Sequence, residues 1–372
     1  MKTINILWAV MVLPVLSMTG CRPRQEEASF SLNGEAKVLL DNLKMQSAKG
    51  YMFGHHDSSV YGIGWENEEE RSDVKSVCGD YPAVISFDLG HIEHNSPENL
   101  DNVSFDKIRK EMIAHYERGG VVSVSWHVDN PVTGGDSWDI GDTTAVASVL
   151  EGGMHHRKFM GWLDNLALFL KSVETAEGVR IPVIFRPWHE HTGSWFWWGQ
   201  NLCTTEQYKE LWAMTRTKME EHELTNLIYA YSPGGDAVDY MERYPGDDCI
   251  DLLGFDTYQY DVESGETIYR ETIRKNLAFL DTYCAQHDKA YAITETGYEK
   301  IPDERWWTDV LQNTIGDYNP AYVLVWRNAR EKEDHYFAPY PGQVSETNFR
   351  NFYQDERTLF LRDIINLYAP WL

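Results

Sequence analysis

Two glutamates in this chain stand where paired-carboxyl chemistry would need them. Glu190 closes Arg186-Pro187-Trp188-His189-Glu190, and Glu295 lies within Ile293-Thr294-Glu295-Thr296-Gly297. Each follows a short apolar run. Two carboxyls about 5–5.5 Å apart can open an acetal by double displacement: one protonates the leaving oxygen and later activates water, while the other attacks the acetal carbon. The two groups then need unlike surroundings. An acid needs apolar neighbours that raise its pKa, and Trp188, Trp195, Phe196, Trp197 and Trp198 are at hand around Glu190. A nucleophile must stay ionised, and Tyr258 and Arg186 are the donors that could reach Glu295.

Groups so far apart in sequence need a scaffold that brings them together. Short apolar runs recur at Tyr51–Gly54, Ala83–Phe87, Val121–Trp126, Ile181–Phe185, Leu227–Tyr231, Leu252–Phe255, Tyr291–Thr294 and Tyr322–Trp326. They are rich in β-branched and aromatic residues and end in polar residues, Gly or Pro, as strands buried on both faces do. Helical stripes alternate with them. Ile108, Met112, Ile113 and Tyr116 share one face, and Gly119-Gly120 ends that helix. Phe159 to Val173 forms a second stripe, and a third opens with Thr204 capped by Gln207. Ile273, Leu277 and Leu280 make a fourth, Trp307, Val310 and Leu311 a fifth, and Phe360, Ile364, Ile365 and Tyr368 are expected as a sixth. Eight strands alternating with helices predict an α/β fold, a (β/α)8 TIM barrel in one catalytic domain. An open doubly wound sheet would carry a glycine-rich phosphate loop after its first strand, and Gly54-His55-His56-Asp57 is not one.

In such barrels the chemistry gathers just past the C-terminal strand ends. Those positions hold His55-His56-Asp57, Asp88, His127 with Asp129 and Asn130, Arg186 with His189 and Glu190, Ser232, Asp256 with Tyr258, Glu295, and Trp326 with Arg327 and Asn328. The run Trp195-Phe196-Trp197-Trp198 cannot face the core in its entirety. An exposed indole beside an acid suits stacking on a sugar ring, and at least one member is expected to be a packing residue.

The rest of the chain bounds the possibilities. Residues 1–20 combine Lys2 with an apolar stretch from Ile4 to Leu16 and end in Leu16-Ser17-Met18-Thr19-Gly20 before Cys21. That pattern resembles a bacterial lipoprotein signal, which implies an exported lipoprotein of the periplasm or outer membrane, lipidated at Cys21. Residues 21–35 read as a polar tether and residues 36–372 as the catalytic domain. The formal charge of −25 becomes −26 once residues 1–20, which carry only Lys2, are set aside. Such an acidic surface repels phosphate backbones and excludes nucleic acid as a partner. Cys78, Cys203, Cys249 and Cys284 show no C-x-x-C spacing.

A metal-dependent hydrolase built on His55-His56-Asp57, His155-His156 or His189-Glu190-His191 is the enzyme alternative. Adjacent histidines on a strand point to opposite sides, so one of each pair at most could serve a common ion, and no H-E-x-x-H helix is present. Neither a metal nor a cofactor is therefore expected. A glycan-binding lipoprotein without catalysis is the alternative from another class; the Glu190/Glu295 pair argues against it.

The segment from Arg186 to Glu190, continued by Gly193-Ser194-Trp195-Phe196-Trp197-Trp198-Gly199, closely resembles the acid/base segment of glycoside hydrolase family 26. Ile293–Gly297 resembles that family's nucleophile segment and Gly254-Phe255-Asp256-Thr257-Tyr258 its sixth-strand motif; Ser125-Trp126-His127, Asn130-Pro131 and Val325-Trp326 also match. Most members are β-mannanases. The resemblance implies Glu190 as acid/base, Glu295 as nucleophile, and a β-1,4-mannan or manno-oligosaccharide substrate cleaved with retention; the chain is expected to act as a monomer. It further implies Tyr258 hydrogen-bonded to the nucleophile, His189 supporting the acid or its neighbouring subsite, Trp195 and Trp326 as sugar platforms, and His127 on the sugar. Arg186 joins them as a binding residue. A β-glucanase or xylanase of the same family is the remaining substrate alternative, and endo versus end-acting cleavage stays open.

Overall fold

The computed structural model describes residues 32–364 and 366–370; the expected signal segment and Cys21 lie outside them. Eight parallel strands follow one another around a closed sheet: β1 Tyr51–His56, β2 Val84–Asp88, β3 Val121–Ser125, β4 Val183–Arg186, β5 Leu227–Tyr231, β6 Leu252–Gln259, β7 Ala290–Tyr298 and β8 Tyr322–Val325. The barrel closes where β8 pairs with β1, in the register Met52↔Tyr322 to His55↔Val325. All eight runs read from the sequence are strands. They were legible because each is buried on both faces, against the helices outside and the barrel axis inside.

Two cores follow from strand alternation. Phe53, Ile85, Val124, Phe185, Leu253, Ile293 and Val325 point outward and pack under the helices. Met52, Val84, Val121, Ile184, Ile228, Leu252, Ala292 and Leu324 point inward. Helix Gly34–Ser47, capped by the Asn33 side chain, lays Leu39 and Leu43 across the N-terminal mouth and joins this inner core. The outer helices include Phe105–Glu117, His156–Lys171, Thr205–Glu221 and Gly265–His287. The expected capping box is present, with Thr204 and Gln207 satisfying each other's backbone N–H groups. Gly119 stops the first of these helices with φ 91°, where a side chain would be strained. Among the described residues no helix is long and apolar enough to cross a membrane.

One expectation fails. Phe360, Ile364 and Tyr368 do not form a helix. Thr358–Leu359 runs parallel to β1, Phe360 bridges to Pro82 and stacks on Phe53 with ring centroids 5.0 Å apart, and only a short turn of 3₁₀ helix, Leu361–Asp363, follows. Asn42 then captures the carbonyls of Leu367 and Ala369, both at 2.8 Å, so the tail turns back against the helix that covers the barrel bottom. The last helix is instead Glu346–Gln354, which buries Phe349, Phe352 and Tyr353 against the side of the barrel. The segment around Trp307 is a π-helix, Trp306–Gln312, that continues into Asn313–Ile315.

Strand β7 carries one residue more than its neighbours require. Against β6 the register runs Phe255↔Ile293 and then Asp256↔Glu295; against β8 it runs Val323↔Ile293 and then Val325↔Thr296. Thr294 is the residue skipped on the β6 side. Ile293 points outward, so unbroken alternation would turn Thr294 inward and Glu295 out again. The bulge lets both face the barrel mouth, a common use of bulges beside active sites. Gly254 opposite makes room for it: a Cβ there would lie 2.3 Å from the Thr294 methyl group.

Candidate active site

The bulge delivers Glu295 into a polar layer at the C-terminal mouth. Arg186, the last residue of β4, is 1% exposed and spans two carboxylates, with its Nη1 2.6 Å from Asp256 Oδ2 and its Nη2 2.5 Å from Glu295 Oε2. The Tyr258 hydroxyl donates to Glu295 Oε1. Glu295 thus receives one donor on each oxygen, and both are the donors its ionised form requires. Asp256 accepts further bonds from Thr294 Oγ1 (2.6 Å) and Ser232 Oγ (3.2 Å). Burial, opposed by Arg186 and reinforced by the Glu295 charge, lifts Asp256 to a pKa of about 7.

Glu190 reaches the same place by a strained route. Pro187 follows β4, and then Trp188 and Glu190 both adopt left-handed backbone, at φ 56° and 53°. Each such residue costs roughly 1–3 kcal/mol and persists only where its surroundings impose it. Those surroundings are identifiable. The Trp188 ring is fully buried among Trp126, Phe159, Trp197 and Trp198, its Nε1 donates to Thr215 Oγ1 (3.2 Å), and its carbonyl accepts from the Tyr208 hydroxyl (2.7 Å). The Glu190 N–H donates to the Ser232 carbonyl at 2.8 Å, tying it to the end of β5. Its side chain accepts from Trp195 Nε1 (2.9 Å). Desolvation, then the neighbouring charges of Glu295 and Asp256, push the Glu190 carboxyl well above the usual range. One oxygen each of Glu190, Asp256 and Glu295 lies within 4.8 Å of the others. Three carboxylates could cradle a cation, but the Arg186 guanidinium already occupies the charge-balancing position between two of them.

The remaining expected residues assemble on the other side of the mouth. His127 bonds through Nδ1 to Asp88 Oδ2 (2.6 Å) and through Nε2 to His189 Nε2 (3.1 Å). Burial disfavours the His127 cation, yet the Asp88 carboxylate prevails and raises its pKa; burial and the Arg186 charge keep His189 neutral. His127 therefore donates to a neutral His189, and Asp88 fixes its ring. His189 supports His127. The Trp198 indole, donating to the His189 carbonyl at 2.8 Å, holds that residue from behind. Trp326 lies over the fully buried His56, with ring centroids 4.1 Å apart, and near His127 at 6.1 Å. Of the aromatic run, Phe196, Trp197 and Trp198 are buried and Trp195 is 42% exposed, so three members pack and one faces the cleft.

A cavity of about 520 Å³ opens beside Glu190, lined by Trp195, Asp236, Asp256, Tyr258 and Tyr260. Asp88 and Asp256 were named from sequence as strand-end residues without a role, because their partners His127 and Arg186 sit on other strands; one contributor was missed altogether. Trp138, 48% exposed, stacks on His127 at 5.1 Å with the rings 14° apart; its loop, Gly134-Gly135-Asp136-Ser137-Trp138, gave no periodic signal. The arrangement as a whole offers a carboxyl biased towards its protonated form, an opposed carboxyl held by two donors, and aromatic walls. It can protonate a leaving oxygen and attack the carbon behind it.

The sequence model described as glycosyl hydrolase family 26 matches residues 31–332. A mannan endo-1,4-beta-mannosidase of Bifidobacterium adolescentis is 30% identical over 357 residues, covering 89% of this chain and 35% of the relative. One of Thermothelomyces thermophilus is 28% identical, covering 81% of this chain and 60% of the relative. The chain thus spans about a third to three fifths of these curated relatives. Among solved structures, a β-mannanase from Bacteroides ovatus is 54% identical with a TM-score of 0.88, over 90% of this chain and 97% of that one. A modular endo-β-1,4-mannanase from Cellulomonas fimi is 31% identical with a TM-score of 0.81, over 91% and 78%.

Proposed function

We propose, from the premise that the chain belongs to glycosyl hydrolase family 26, that it is a retaining glycoside hydrolase cleaving β-1,4-mannosidic bonds in mannan, galactomannan or glucomannan. The observation that carries this reading is the pairing of Glu190 and Glu295: one oxygen of each lies within 4.8 Å of the other, with Glu190 biased towards its protonated form and Glu295 held by Arg186 and Tyr258. The separation suits a covalent intermediate rather than an intervening water, which needs about 6.5–9.5 Å. In the first step Glu295 attacks the anomeric carbon as Glu190 gives its proton to the departing glycosidic oxygen. In the second, the Glu190 carboxylate takes a proton from water, which displaces Glu295 and restores the starting configuration. Trp195 and Trp326 serve as sugar platforms, and His127, held by Asp88 and His189, contacts the sugar beside the scissile bond. Arg186 acts through the carboxylates it pairs with.

The mannan assignment is supported by the names that the relatives bear, and the enzyme is proposed to act as a monomer exported by residues 1–20 and anchored through a lipid on Cys21. Proton NMR of manno-oligosaccharide hydrolysis tests the mechanism: the β-anomer is expected first, and initial release of the α-anomer overturns it. Glu295→Ala is expected to abolish turnover of unactivated mannan, and near-normal rates refute its role. The time course of products separates endo cleavage, which releases mobile intermediate oligomers, from end-acting release of mannobiose alone. Incorporation of labelled palmitate that is lost in Cys21→Ala tests the anchor.

A further inference from the structure

A second cluster of ionisable side chains lies on the same mouth of the barrel, apart from the cleft. The turn after β2 runs Gly90-His91-Ile92-Glu93-His94-Asn95, and β3 is followed by Asp129. One donor atom each of Glu93, His94 and Asp129 lies within 4.8 Å of the others. His94 Nε2 is 2.8 Å from Asp129 Oδ2 and 3.9 Å from Glu93 Oε1, and His91 Nε2 is 3.9 Å from Asp129 Oδ1. Ligands about 2.0–2.1 Å from a tetrahedral ion stand roughly 3.3 Å from one another, so these spacings bracket what such an ion requires.

Two further observations separate this group from an ordinary surface ion pair. Glu93 is a carboxylate only 1% exposed, and the ion pairs made by it and by Asp129 are all with His91 and His94. Buried carboxylates are normally paired with a full cation. Its two oxygens are also already oriented: Oε2 accepts from the buried Trp126 indole (3.0 Å) and Oε1 from the Asp129 N–H (2.9 Å), leaving Oε1 turned towards His94. Fixed partners of this kind behind the ligands are characteristic of metal sites. The turn itself is held in an unusual shape, with His91 and Asn95 at φ 75° and 54°.

We propose that Glu93, His94 and Asp129 bind one first-row transition-metal dication, with His91, which now reaches Asp129 alone, turning in as the fourth ligand, and that the ion clasps the turn after β2 to the loop after β3. Two imidazoles with two carboxylates select zinc or its neighbours over calcium or magnesium, which prefer all-oxygen shells. The role is structural. His127 stands two residues before Asp129, so the clasp steadies the loop that carries it without contacting substrate. This inference does not depend on the reading of the cleft.

Titration of EDTA-treated full-length protein with zinc chloride, followed by calorimetry and thermal melting, tests it. The expected result is one ion per chain and a raised Tm, with turnover well below the Tm unaffected by EDTA. Cobalt(II) is expected to give the visible absorption of a four-coordinate N/O site. Both signals are expected to disappear in His94→Ala/Asp129→Asn and to persist in His155→Ala/His156→Ala. Should the double variant fold poorly, the single exposed change His91→Ala is expected to weaken binding about 10–100-fold. Absence of saturable binding, or binding unchanged by His91→Ala and by the double variant, overturns the proposal; loss of turnover on EDTA treatment at low temperature overturns the structural role.

Discussion

Replacing Arg186 by methionine keeps an unbranched chain of similar reach and removes the charge that lies between Asp256 and Glu295. Both ion pairs are almost wholly buried, with side-chain exposures of 2% and 0% for Arg186–Asp256 and 2% and 7% for Arg186–Glu295. Removing one partner of a buried pair costs about 3–5 kcal/mol, because a charge is left without compensation. At roughly 2 °C per kcal/mol for a domain of this size, the Tm at pH 8 should fall by about 6–10 °C. A second change, Asp256→Asn, removes one of the stranded carboxylates. The double variant should therefore lose less than the sum of the singles, with a coupling on the order of 1–3 kcal/mol. The pH dependence has a definite sign. Asp256 has a folded-state pKa raised by burial to about 7, so its contribution to stability is full below its unfolded value and fades as pH rises through about 7. Without Arg186 its protonated form is favoured further, and the penalty of Arg186→Met should shrink between pH 8 and pH 5. Thermal melts of the four proteins at both values measure the cycle. Strictly additive losses, or a penalty that grows on acidification, refute the reasoning.

Glu190→Ala should slow hydrolysis of manno-oligosaccharides by about 10²–10⁴-fold and spare aryl mannosides with acidic leaving groups, which need no protonation; equal losses on both argue against an acid role. Trp195→Phe removes an N–H that favours the Glu190 carboxylate, so the alkaline limb of kcat/KM should move to higher pH, and a shift to lower pH contradicts the assignment. Tyr258→Phe keeps the ring that packs on Phe337 and deletes the donor to Glu295. A hydrogen bond to a charged group contributes about 1.5–3 kcal/mol, so kcat/KM should fall about 10–100-fold with little change in Tm; a change under about twofold refutes the bond's importance.

The strands were legible because burial on both faces writes itself into composition, and Thr204 with Gln207 announced a helix start by residue type alone. Glu190 and Glu295 were legible as strand-end carboxyls. The bulge was not: an extra residue in β7 changes which way side chains point without changing what they are. Helix Glu346–Gln354 went unread although Phe349, Phe352 and Tyr353 stand at helical spacing, because in nine residues that stripe does not repeat. The spacing of Phe360, Ile364 and Tyr368 suggested a helix, but pairing with β1 and capture by Asn42 decide that segment's form. The cluster around Glu93 stayed invisible for a related reason: its ligands come from two loops, and a three-dimensional turn, not a motif, brings Asp129 to His94.

The extra residue in β7 can be taken out without moving the nucleophile. Deleting Thr294 would leave Ile293 opposite Phe255 and Glu295 opposite Asp256, restore strict alternation, and still turn Glu295 inward. What the deletion removes is the Thr294 hydroxyl on Asp256 and the crowding that demands Gly254. A single-codon loss here would therefore spare the address of one carboxylate and retune its neighbour, so a lineage could drop the bulge and remain a catalyst.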